Sequence, residues 1–91
     1  MTVRVLIPPV LRNVTGGRRA IESQGRTLQE VLVNLTREHP ALALHLFDER
    51  GDVRRHVLCI HDSSAVRPVD FASRTIRDGD EIIITNALAG G

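Results

Sequence analysis

The segment TLQEVLVNLTREHP, residues 27–40, decides how the rest of this chain can fold. Thr27 and Glu30 match a capping box: the Thr27 hydroxyl accepts from the Glu30 backbone N–H, and the Glu30 carboxylate reaches back to the Thr27 N–H. Pro40 ends the helix. Apolar residues recur at i, i+3, i+4 and i+7, which gives one helical stripe. This stripe consists of Leu28, Val31, Leu32 and Leu35.

Two strands are predicted before this helix. Residues 3–7 alternate so that Val3, Val5 and Ile7 share one face, and two prolines end the run. After a loop with its tip at residues 15–17, residues 18–23 can return antiparallel as the second half of a hairpin.

The segments after the helix predict further strands. Residues 41–47 suit a short second helical turn, and residues 53–61 and 66–69 are strand-like. The turn Asp78-Gly79-Asp80 then leads into a β-branched strand over residues 81–85. The order is typical of an α+β fold in which one main helix packs on one face of a mixed sheet. A β-grasp, ubiquitin-like arrangement contains both an antiparallel hairpin and a right-handed parallel crossover.

Length and composition exclude several classes. Ninety-one residues suit one domain, which we place at 1–85 with a flexible Gly-Gly tail at 86–91. A net charge of +1 and two aromatic residues argue against nucleic-acid binding. No segment resembles a signal peptide or a membrane span, so no membrane partner and a cytoplasmic location are expected.

Few side chains in this sequence are candidates for catalysis or metal binding. The single cysteine, Cys59, lies in an apolar run and is expected in the core. The four histidines form no helical i, i+4 pair, so no metal site is expected. Asp78 and Asp80 flank a turn glycine and are expected to be solvated, without a catalytic role.

The chain ends instead on Gly90-Gly91, directly after the last predicted strand. Six residues beyond that strand can reach about 20 Å, so the terminus could enter another protein's active site. Glycines lack Cβ atoms and can pass through a narrow channel, with Leu88 and Ala89 guiding the tail. Adenylation by ATP would give the Gly91 carboxylate a good leaving group, after which sulfide or an amine can be acylated.

One face of the sheet is a candidate docking surface. Leu6, Leu58 and Ile83 are predicted to share the face away from the main helix. The alternatives are that the short second helix covers these residues or that their exposure is incidental.

Three stretches together resemble the ubiquitin-like sulfur carriers of the ThiS/MoaD family. They are Ile7-Pro8-Pro9-Val10-Leu11-Arg12 through Gly17, the Thr27-Leu28 helix start, and Asp78-Gly79-Asp80-Glu81 through Gly91. The first stretch is most similar to carriers of an alternative route to cysteine. The resemblance implies a β-grasp fold and a carrier that is not itself an enzyme and binds no cofactor.

The resemblance also implies a set of partners. An E1-like enzyme uses ATP to adenylate Gly91, a sulfur donor converts the adenylate to a thiocarboxylate, and a PLP-dependent cysteine synthase accepts the sulfur. A metalloprotease then releases cysteine. Two related alternatives stay open: the small subunit of a molybdopterin synthase, and a ubiquitin-like modifier joined to lysines of other proteins. An interaction module without terminal chemistry is the remaining alternative.

Overall fold

The computed structural model describes residues 2–86 and contains one five-stranded mixed sheet with two α-helices. The strands are β1 (Thr2–Leu6), β2 (Ala20–Gln24), β3 (Val57–His61), β4 (Ser64–Val66) and β5 (Glu81–Asn86). The α-helices are α1 (Leu28–Glu38) and α2 (Pro40–Leu46), and two 3₁₀ helices span Pro9–Thr15 and Pro68–Ser73.

The sheet order is β2-β1-β5-β3-β4, which places the last strand in the centre. β1 pairs antiparallel with β2 and parallel with β5, while β5 and β4 both pair antiparallel with β3. The predicted hairpin and the parallel crossover through the helix are therefore both confirmed, and so is the α+β class.

The core lies between α1 and the inner face of the sheet. The four stripe residues of α1 are each at most 1 % exposed, as the helical spacing predicted. Alternate strand residues meet them, including Val5 and Ile82, which face each other across β1 and β5. Leu42 and Leu46 of α2 are buried in the same cluster.

The start of α1 departs from the predicted capping box in one hydrogen bond. The Thr27 hydroxyl accepts from the Glu30 N–H at 3.2 Å, as expected. The Glu30 carboxylate, however, accepts from the Arg26 N–H at 3.0 Å, so the prediction that it returns to Thr27 is wrong. Thr27 forms an isolated antiparallel β-bridge with Thr75, and the Ile76 N–H donates to the Arg26 carbonyl. This pairing brings the Arg26 N–H to the carboxylate.

Gly25 allows β2 and α1 to approach each other closely. A Cβ atom at this position would lie 2.7 Å from the Val31 backbone nitrogen and 2.9 Å from the Glu30 Cβ. The neighbouring Ser23 hydroxyl donates to the Val31 carbonyl at 3.0 Å inside the core. The strand-to-helix connection therefore requires glycine.

Several predicted boundaries are wrong. The strand predicted over 18–23 is Ala20–Gln24. The strand predicted over 53–61 is limited to Val57–His61, and the segment at residues 9–15, predicted as a loop, is a 3₁₀ helix. The short strand lies at Ser64–Val66 and not at 66–69, because Pro68 begins the second 3₁₀ helix. A two-residue turn with positive φ at both positions brings Ser64 opposite His61 and starts β4 early.

The tail was predicted over residues 86–91, but Asn86 is the last residue of β5, so that boundary is wrong by one residue. The rest of the predicted tail, with Leu88, Ala89, Gly90 and Gly91, lies outside the described residues. Across residues 2–86, no helix is long and apolar enough to cross a membrane.

Candidate functional site at the end of the central strand

The central strand carries the chain toward Gly91, the predicted reaction site. β5 is hydrogen-bonded on one side to β1 and on the other to β3, with pairing to β3 continuing to Asn86. A strand paired on both sides is held more firmly than an edge strand. The body of the protein therefore fixes the point from which residues 87–91 depart.

An apolar row crosses the outer face of the sheet, which is the face opposite α1. Backbone register aligns Leu6 with Ile83 and Ile83 with Ile60, and all three side chains are partly exposed. Ala20 and Ala65 continue the row on the two outer strands. We call these five residues the outer-face row.

Leu58 lies on the same face, opposite Thr85 and one step nearer the end of β5. The structure thus brings together Leu6, Leu58 and Ile83, the three residues selected from the sequence. It adds Ile60, which was not predicted although the alternation of residues 57–61 places it on the same face as Leu58.

The outer face is not covered by α2. Leu42 and Leu46 are buried in the core cluster on the inner side of the sheet. The expectation that the short second helix could cover the outer face is therefore wrong. The three large apolar residues that are mostly exposed within residues 2–86, Val10, Leu44 and Val69, all lie outside the sheet.

A charged row borders the apolar one, toward the start of β5. Register places Arg4 between Glu22 on β2 and Glu81 on β5, and all three side chains are exposed. The outer face therefore changes from charged to apolar along the direction in which β5 runs.

Two concave surfaces flank the end of β5. A groove of about 370 Å³ on the outer side is lined by Leu6, Pro9, Arg12 and Ile83. A smaller cleft of about 130 Å³ on the helix side is lined by residues that include His45 and His56. Ile84 and Thr85 line both. The chain therefore leaves the described fold between two hollows that a partner could fill.

The other end of β5 is held by a partly buried polar network around His61. The His61 Nε2 lies 2.7 Å from Asp80 Oδ2, and the Arg74 Nε donates to His61 Nδ1 at 2.8 Å. A second guanidinium nitrogen of Arg74 donates to the His61 carbonyl at 3.0 Å. Because Nδ1 accepts from a cation, the imidazole proton lies on Nε2 and is donated to Asp80. The prediction that Asp80 is solvated is therefore wrong.

These contacts lower the pKa of the Asp80 carboxyl. The principal cause is the hydrogen bond from His61, followed by the bond that the Arg77 backbone N–H donates to Oδ2 at 2.9 Å. Ligand atoms of His61, Asp62 and Asp80 lie within 4.8 Å of one another, close enough to share a cation. Metal binding at Nε2 would displace the proton shared with Asp80 and leave Arg74 facing a protonated Nδ1. The geometry thus assigns the group to hydrogen bonding.

Cys59 is buried in the hydrophobic core. Its side chain is buried on the inner face of β3, and desolvation raises the pKa of the thiol to about 12. The predicted core position is confirmed. A protonated thiol without access to solvent cannot act as a nucleophile or accept sulfur.

The arrangement is that of a small β-grasp protein with an open outer sheet face and a central strand that is the last of the described elements. The ThiS family sequence profile matches residues 5–91. The chain is 33 % identical, over 93 aligned residues, to the sulfur carrier protein CysO of Mycobacterium tuberculosis, and the alignment covers 100 % of both chains. The chain therefore belongs to the ThiS family.

Solved structures agree on the fold. M. tuberculosis CysO superposes with a TM-score of 0.80 at 31 % identity, covering 93 % of this chain and 98 % of CysO. A crystal structure of the BexX/CysO complex of Amycolatopsis orientalis gives 0.78 at 29 % identity, covering 98 % and 99 %. SAMP1 of Haloferax volcanii gives 0.83 at 21 % identity over 100 % of both chains, which shows the shared fold alone. The predicted β-grasp fold is confirmed.

Proposed function

We propose that this protein is a sulfur carrier for cysteine formation, with the sulfur held as a thiocarboxylate on Gly91. The position of β5 carries the proposal: a central strand paired on both sides leads, within five residues, to a terminal Gly-Gly. Similarity to CysO along the entire chain supports the same role.

The terminal carboxylate requires activation because an oxide is a poor leaving group. An E1-like enzyme would attack the α-phosphate of ATP with the Gly91 carboxylate, forming an acyl adenylate and releasing pyrophosphate. Sulfide from a donor then adds to the acyl carbon, the bond to AMP breaks, and a thiocarboxylate and a proton result. The protein is the co-substrate of this reaction and the partner supplies the catalysis.

Residues 87–91 can extend about 17 Å from the end of β5, which is enough to enter a partner's active site while the body stays outside. Gly90 and Gly91 present no Cβ atoms, and Leu88 and Ala89 supply the tail's apolar contacts. The outer-face row with Leu58 would then dock on the activating enzyme, because a contiguous apolar patch near the reactive end favours binding.

The sulfur acceptor in this proposal is a PLP-dependent synthase that presents an aminoacrylate. The thiocarboxylate sulfur would add to the electrophilic carbon of that group while a proton adds to the neighbouring carbon, which leaves a thioester between carrier and product. Hydrolysis of the acyl bond to Gly91 by a protease would then release cysteine and return the Gly91 carboxylate. A crystal structure of the relative CysO in complex with BexX is a precedent for pairing such a carrier with a second protein.

Intact mass spectrometry tests the proposal. The protein is incubated with ATP, sulfide and the E1-like enzyme from the same genome, beside a matched variant that lacks Gly91. We expect a mass gain equal to exchange of one oxygen for sulfur in the full chain and no gain in the shortened chain. Gain in neither protein, with an enzyme that activates its known carrier, would contradict the proposal.

Incubation of the protein in a cell extract distinguishes a modifier from a carrier. A modifier would give amide-linked conjugates of the protein with lysine side chains of others, which persist after thiol treatment. A carrier passes its sulfur to the acceptor and is recovered without such conjugates.

A further inference from the structure

The groove on the outer side of β5 contains one charged side chain in an otherwise apolar wall. Leu6, Pro9 and Ile83 supply apolar surface, and Arg12 lines the same groove. The groove is continuous with the outer-face row, since Leu6 and Ile83 belong to both. Whatever covers the row therefore also meets Arg12.

Arg12 is held in place from two directions. Its side-chain Nε donates to the Ile7 carbonyl at 3.2 Å, which restrains the position of the guanidinium. Its own carbonyl accepts from the Thr15 hydroxyl at 3.0 Å and from the Gly17 N–H at 2.7 Å. The side chain is partly buried, and its orientation is largely set before any partner binds.

The guanidinium lacks an acidic partner within residues 2–86, where the ion pairs all involve His61. Its terminal nitrogens are thus available to an outside anion. A planar guanidinium fork matches a carboxylate in two parallel hydrogen bonds, and the surrounding apolar wall strengthens such a pair once water is excluded.

We infer that this groove receives an apolar side chain of the activating enzyme, next to a carboxylate of that enzyme which pairs with Arg12. The inference rests on the proposed function, because it assigns the partner that activates Gly91. The anion is a protein carboxylate and not the ATP phosphates, since an extended tail places the reacting terminus about 17 Å from the end of β5.

Activation kinetics test this pairing. The KM for the carrier, the KM for ATP and kcat are measured by ATP–pyrophosphate exchange for the wild type, Arg12→Gln and Arg12→Lys. We expect Arg12→Gln to raise the carrier KM about tenfold, the size of effect expected when a desolvated charge pair loses one partner. The KM for ATP and kcat stay the same. Arg12→Lys keeps the charge without the fork and recovers part of the loss.

The matched control is Arg37→Gln, an exposed arginine on α1 that should leave the carrier KM unchanged. Raising the salt concentration should raise the carrier KM of the wild type and of Arg12→Lys more than that of Arg12→Gln, because salt screens the pair. An unchanged carrier KM in Arg12→Gln, an equal rise in Arg37→Gln, or a rise in the KM for ATP would each overturn the inference.

Two further readouts separate the explanations. Thermal melting of each variant identifies a folding defect. The effect of salt on the carrier KM is measured on the wild type, so it does not depend on how any variant folds. If the chain's own terminus pairs with Arg12, deleting residues 87–91 will shift the Arg12 Nε–H resonance of the free protein, and the inference is then wrong. A wild-type protein that is never activated would refute the proposed function itself.

Discussion

The two ends of β5 differ in what holds them. At its start, Asp80 accepts hydrogen bonds from the buried His61 ring and the Arg77 backbone, and Arg74 completes the network. At its finish, Thr85 lies between two open concavities, and the chain continues toward Gly91. One end carries buried polar contacts and the other carries surface available to partners.

This difference suggests how a carrier of the proposed kind can present Gly91 to its partners from a fixed strand. Contacts that stabilise the strand are placed at the end away from the chemistry, so they need not change when a partner binds. Substitutions at the Asp80 end should therefore change stability, and substitutions at the Thr85 end should change the affinity for partners.

The largest effect is expected on the outer-face row. Ile83→Asp places a charge at the middle of the surface proposed to dock, and we expect the KM of the activating enzyme for the carrier to rise about thirtyfold, from the loss of about 2 kcal/mol of binding free energy. Melting should remain cooperative because Ile83 is partly exposed.

The control for Ile83→Asp is Val69→Asp. Val69 is 83 % exposed on the second 3₁₀ helix, away from the sheet, so its substitution should leave the KM unchanged. Equal effects of the two substitutions on the KM, or no effect of Ile83→Asp, would show that the outer face does not bind the activating enzyme.

A smaller effect is expected at the held end. Asp80→Asn keeps an acceptor for the His61 Nε2–H but loses the negative charge, and we expect the free energy of unfolding to fall by about 1–2 kcal/mol at neutral pH. The carrier KM should not change. Urea unfolding measures the first quantity, with Asp52→Asn as an exposed control from the loop before β3.

The effect of Asp80→Asn should depend on pH. Folding lowers the pKa of the Asp80 carboxyl below its unfolded value of about 3.9, so the ionised group stabilises the fold above that pH. This stabilisation is lost as pH falls through the folded pKa. The two proteins should converge in stability under acid conditions; a gap that persists unchanged there would show that the carboxylate charge is not the cause.

The smallest effect is expected in the turn between β3 and β4, beside His61. Ser63 has a φ of 63°, a conformation that favours glycine, so Ser63→Gly should raise the free energy of unfolding by about 0.5–1 kcal/mol. The neighbouring Ser64 lies in β4, where Ser64→Gly should lower it. Thermal melting of the pair checks the sign, and the same direction for both would refute the explanation from backbone conformation.

Local patterns predicted the parts of the fold that depend on local chemistry. The α1 stripe, the alternation of β1 and the β-branched β5 all follow from residue spacing, and their inner faces are buried as expected. The same alternation indicated Leu6, Leu58 and Ile83, and applied fully to β3 it would have added Ile60.

Features made by distant residues were missed. His61 and Asp80 are 19 residues apart, and Arg74 reaches His61 only after the second 3₁₀ helix has turned the chain back. The Arg12 groove likewise needs β1 and β5 to pair before it exists. No spacing rule along the chain encodes such contacts, because they depend on the packed sheet.

The central claim is that sulfur is carried on the terminus and not on the body of the protein. Fragmentation of the loaded protein in the mass spectrometer tests it most directly, with wild type and Cys59→Ala compared. We predict that the mass increment stays with fragments that contain Gly91 and is the same in both proteins, because the Cys59 thiol is buried with its pKa raised to about 12. An increment found on fragments containing Cys59, and lost in Cys59→Ala, would contradict the account.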